Sequence, residues 1–156
     1  MNKKIKGQIS VEFIVLLAIF MLFFQATILP TIEFSENIIK DTYNLSKTSD
    51  SVSRLATHIE NFSNSSGFGR RSIFFYLPDT AIISACDYDS GNPVIKYNVT
   101  ISKQRPIPLT CNDQGVCNFV KKIESDTPIS CEVIGPGFSG AIILEKSETG
   151  QIIIKK

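Results

Sequence analysis

One apolar run limits what this chain can become. From Gln8 to Leu29 it reads "QISVEFIVLLAIFMLFFQATIL", 22 residues with a single ionisable side chain, Glu12. As a helix the run spans roughly 33 Å, enough to cross a hydrocarbon layer of about 30 Å. A helix apolar on every side is surrounded by lipid or by other helices. Lys3, Lys4 and Lys6 precede the run, and the next basic residue is Lys40. That asymmetry predicts a cytoplasmic N-terminus and places everything after Pro30 outside. The run is long for the apolar part of a secretory signal, and "FQATILP" offers no small-residue cleavage site. A single membrane span from Ile9 to Leu29 is expected. Glu12 is its anomaly, because a carboxylate in hydrocarbon is costly unless it reaches the interface or a partner.

The residues before the run give that carboxylate a purpose. "KKIKGQISVEF" joins a short basic leader ending in Gly7 to Gln8, Ser10 and Glu12 in the spacing Q-x-S-x-E. This pattern resembles the class III signal of archaeal type IV pilin-like proteins. The resemblance covers about 20 residues of the chain. It implies cleavage by a membrane prepilin peptidase between Gly7 and Gln8, with the apolar helix kept. It further implies transfer through a pilus assembly platform into a surface filament with other pilin subunits, as a homo- or heteropolymer. The expected role is that of a major or minor pilin serving adhesion or surface attachment. Cleavage would free the Gln8 amino group, whose ordinary pKa of about 8 leaves it mostly cationic at neutral pH. Glu12 lies four residues on, one helical turn away. In a dry helix bundle the pair would neutralise each other within or between subunits and set axial register, since slipped packing leaves both charges bare.

The remainder predicts an α+β protein. Pro30 is expected to interrupt or kink the helix at the membrane edge. Ile38, Leu45, Val52 and Ile59 then fall seven apart, with Leu55, Ala56 and Phe62 widening the stripe. This predicts an amphipathic helix from about Thr31 to Phe62. "NSSGFGRR" ends it, and alternating β-branched and aromatic segments follow. Strands are predicted near 73–77, 81–86, 94–102, 116–123, 129–134, 140–146 and 151–155. "DYDSGNP" is expected to join the second and third, and "SETG" the last two. Tyr97, Val99 and Ile101 share one face, which suggests an antiparallel sheet with one packed side. The division is a cleaved leader (1–7), a transmembrane and assembly helix (8–29), an amphipathic helix (30–66) and an extracellular antiparallel β head (67–156).

Four cysteines, Cys86, Cys111, Cys117 and Cys131, fall in the part predicted to lie outside, which reads as two disulfides. Their spacings of 24, 5 and 13 residues lack the close pairs of a zinc site. "NDQGV" between Cys111 and Cys117 predicts a tight turn that sets these two opposite each other. That leaves Cys86 with Cys131; Cys86 with Cys111 is the rival pairing. Asn44, Asn61, Asn64 and Asn98 each head an N-x-S/T sequon, open to N-glycosylation on an exterior surface. The chain has one histidine, His58, and no set of residues around it that reads as catalytic. No enzyme activity, cofactor or metal is expected. A net charge of +1 gives no basic field for nucleic acid. The alternative to a filament subunit is a membrane-anchored extracellular β-domain that binds a surface ligand and never polymerises.

Overall fold

The computed structural model describes residues 3–65, 67–89, 91–102 and 111–156, with side chains from Val11 onward. The chain divides into two compact units, Met1–Ile39 and Lys40–Lys156.

The first unit is helical. Helix α1 (Lys3–Phe23) passes into one π turn (Phe24–Ile28) and then into helix α2 (Leu29–Ser63). Every side chain from residue 11 to residue 36 is exposed. The described helix is long and apolar enough to cross a membrane, with a mean hydropathy of 2.4 over its most apolar window. Pro30 does not interrupt it; helical structure runs through that position. In an α ladder the N–H of residue 30 would bond the carbonyl of Ala26. Proline lacks that N–H, and its ring crowds the same carbonyl. The π turn lies at this place, a local widening of the kind by which helices take up such an interruption.

The second unit holds the late part of α2 and seven strands. Val52, Leu55, Ala56, Ile59 and Phe62 recur at spacings of three and four and are all buried, which makes one face of the helix a wall of the core. The strands are β1 (Gly69–Tyr76), β2 (Ala81–Asp89), β3 (Asn92–Thr100), β4 (Val116–Lys122), β5 (Ile129–Cys131), β6 (Ser139–Lys146) and β7 (Ile152–Lys155). They form a four-stranded sheet in the order β1-β6-β7-β5 and a three-stranded sheet in the order β2-β3-β4. Ile73, Phe75, Ile142, Leu144, Ile152 and Ile154 bring the first sheet's buried face into the core, and Ile83, Ile95 and Val99 bring the second's. Tyr97 and Phe119 are register partners whose rings stack with centroids 5.3 Å apart.

The head is mixed rather than purely antiparallel, because β5 pairs with β7 in parallel. Residues 132–138 carry the chain past β7, so that β6 enters on its far side and returns into β7 as a hairpin. Alternation along a strand reports which face is buried, and neighbour and direction are free of it. The two sheets adjoin where Ile83 and Ile134 exchange backbone hydrogen bonds of 3.1 and 3.2 Å.

Candidate functional site

The pilin-like motif falls in α1. Gly7, Gln8 and Ile9 lie within its backbone span, and their side chains are outside those described. Because α1 is one uninterrupted α-helix, Gln8 and Glu12 stand one turn apart. Glu12 is exposed and shares a stripe with Val11, Val15, Leu16 and Ile19 along the helix surface. Leu29, the far end of the expected span, opens α2 and is exposed.

The cysteines form two disulfides, Cys86–Cys131 with Cα atoms 5.3 Å apart and Cys111–Cys117 with Cα atoms 3.8 Å apart. The second closes a tight turn. The Asn112 side-chain oxygen accepts the backbone N–H of Gln114 and of Val116, and Gly115 adopts a φ of 78°. The first joins β2 to β5 across the meeting of the two sheets. Of the sequons, Asn61 and Asn64 are exposed near the end of α2, while Asn44 and Asn98 are half-buried.

Outer ion pairs trim the head. Lys96 Nζ lies 3.0 Å from an Asp87 carboxylate oxygen, and Lys155 Nζ lies 2.7 Å from Glu145. The hydrogen bond from each lysine holds its partner's carboxyl below the usual range. Burial raises the Tyr97 hydroxyl pKa. Among the described residues, no group of three or more His, Cys, Asp or Glu side chains converges as a metal site.

One concavity of the head gave no sequence signal. A cavity of about 250 Å³ lies between α2 and β1. Its helix wall is Lys47, Asp50, Ser51, Arg54, Leu55 and His58; its strand wall runs from Ile73 to Tyr76. Arg54 is tied to Asp50, with Nε 3.1 Å from Oδ2. The Nδ1 atom of His58 is buried without a hydrogen-bond partner. These helix residues sit at spacings of three and four, the only clue the sequence holds, and any solvated helix flank carries that clue too.

Comparison with protein families, with characterised proteins and with solved structures finds no match. Any assignment therefore rests on the chain's own residues.

Proposed function

We propose that this chain is a structural subunit of an archaeal type IV pilus-like filament, processed between Gly7 and Gln8 and assembled through its N-terminal helix. The observation that carries the reading is a membrane-length helix whose side chains face outward on every side, with Glu12 the one carboxylate of its apolar run. A lone anchor gains nothing from that carboxylate. A bundle of such helices does, because a freed Gln8 ammonium needs an anion nearby once water is excluded. On this reading the precursor sits in the membrane with a cytoplasmic N-terminus, the mature head is extracellular, and the role is non-enzymatic. Partners are further pilin subunits, the prepilin peptidase and the assembly platform. The disulfides suit an oxidising exterior.

Two variants test it together. Gly7→Val blocks the small pocket expected beside the scissile bond, so full-length precursor accumulates in the membrane. Glu12→Gln keeps size and helix propensity but removes the charge. It is expected to be cleaved and inserted normally and to give little or no filament under the electron microscope. N-terminal sequencing that finds Met1 or Asn2 on the wild-type surface protein sinks the reading, and wild-type fibre yield from Glu12→Gln removes the carboxylate's role. The cavity beside β1 favours a second reading, a membrane-anchored domain that binds a ligand without polymerising.

A further inference from the structure

Strand β1 ends its sheet with one side open, since among the described residues its only strand partner is β6. The alternation of an antiparallel ladder tells which residues face that side. Leu77 donates its N–H to Phe138 O at 2.8 Å, just past the Tyr76–Ser139 pair that closes the β1–β6 register. Odd-numbered residues of β1 therefore bond β6. Arg70, Ser72, Phe74 and Tyr76 hold their N–H and C=O groups toward the open edge. Natural edges are usually guarded by proline, charged side chains, a bulge or short length. This edge is eight residues long, in unbroken register and without proline; its charges, Arg70 and Arg71, are confined to its start, and Ser72–Tyr76 carries none. Phe74 on it is 77% exposed.

The cavity described above borders the second half of β1, at Ile73–Tyr76, and forms a groove there against α2. Its other wall carries two cations, Lys47 and Arg54, against one acid, Asp50, and includes the buried, unpartnered Nδ1 of His58. Arg70 and Arg71 add positive charge at the beginning of the strand. One occupant satisfies both walls. An extended chain would meet the open ladder with its backbone, and carboxylates at alternate positions would meet the cations with its side chains.

We propose that the groove between β1 and α2 is a strand-addition site for an extended acidic peptide segment of a partner polypeptide. The bound segment lengthens the four-stranded sheet past β1, pairing with Arg70, Ser72, Phe74 and Tyr76. Its carboxylates reach Lys47 and Arg54, and they compete with Asp50 for the Arg54 guanidinium. The site lies wholly within the second unit and does not depend on polymerisation.

The test uses the full chain in detergent micelles and a fluorescent ten-residue peptide of alternating glutamate and threonine, read by anisotropy. The control peptide replaces glutamate with lysine. Saturable binding of the acidic peptide is expected, with the basic peptide at least about tenfold weaker, since like charges then meet across the groove. Phe74→Pro removes an N–H from the open edge and none from the β6 ladder, so the fold is kept and binding falls about tenfold or more. Amide exchange at Ile73 and Phe75 verifies that the ladder to β6 persists. Lys47→Gln and Arg54→Gln, both on the exposed helix surface, each weaken binding about threefold. Asp50→Asn strengthens it by freeing Arg54. Equal affinity for the two peptides, absence of acidic-peptide binding, or unchanged binding by Phe74→Pro overturns the proposal.

Discussion

Asp41 and Thr48 stand on the core-facing side of α2, at positions where the spacing of Val52, Leu55 and Ile59 asks for apolar side chains. Both are buried, at 8% and 0% exposure. Each is satisfied. The Asp41 carboxylate accepts the backbone N–H of Ser102 at 3.0 Å, and the Thr48 hydroxyl donates to Asn44 O at 2.7 Å. From the sequence they read as a weakening of the stripe, because the partner of Asp41 lies 61 residues on and nothing local announces it. Asp41→Ala removes the acceptor of a part-buried N–H and is expected to cost about 1 kcal/mol. Asp41→Asn keeps an acceptor and is expected to lose less than half of that. Urea unfolding of the two variants beside wild type checks the difference. Gly115 presents the opposite case, for "NDQGV" was legible as a turn. Its φ of 78° and a Cβ that would sit 2.7 Å from the Ile101 carbonyl oxygen both exclude larger residues. Gly115→Ala is expected to lower stability by about 1–3 kcal/mol, the cost of a non-glycine residue held in a strained conformation, in the same unfolding assay.

Among elements, the strands were the most legible. All seven fall within a few residues of the expected ranges, and the hairpins β2–β3 and β6–β7 sit at the turns read from "DYDSGNP" and "SETG". Alternation and turn residues are local signals, so a single sequence carries them. Strand order is not local. The parallel placement of β5 beside β7, and of β1 at an edge, had no sequence signature, and without the edge the groove could not be seen. The helix presents a subtler case. Thr27, Thr31 and Ser35 each donate a hydroxyl to the carbonyl four residues back, at 2.7, 2.7 and 2.9 Å. Thr27 lies in the π turn, and Thr31 and Ser35 follow Pro30. Their acceptors are the carbonyls of Phe23, Thr27 and Thr31, so the Ala26 carbonyl facing Pro30 is not among them; each bond satisfies the hydroxyl itself inside an apolar helix. Pro30→Ala restores the missing donor. It is expected to convert residues 24–28 to α-helix and to slow amide exchange there, measured by hydrogen exchange in bicelles. Unaltered exchange would show that the π turn has a cause other than Pro30.

At the scale of the whole molecule, the chain joins an outward-facing apolar helix to a head with its own core. The helix, the α+β class and the presence of a sheet domain followed from hydropathy and period alone. The second compact unit begins at Lys40, and the late part of α2 supplies one wall of its core. The Cys86–Cys131 bond has a further consequence once the chain is considered as a tether. A protein held by its N-terminus and gripped at its head is loaded in tension along the backbone. The bond bypasses a sequence separation of 45 residues at the join of the sheets. Under force those residues cannot pay out, so roughly 150 Å of slack, at about 3.3–3.6 Å per extended residue, stays locked in the head. Single-molecule pulling between the chain ends is expected to show a contour length longer by about that amount after reduction. The head is in that sense a knot of fixed length on an extensible line.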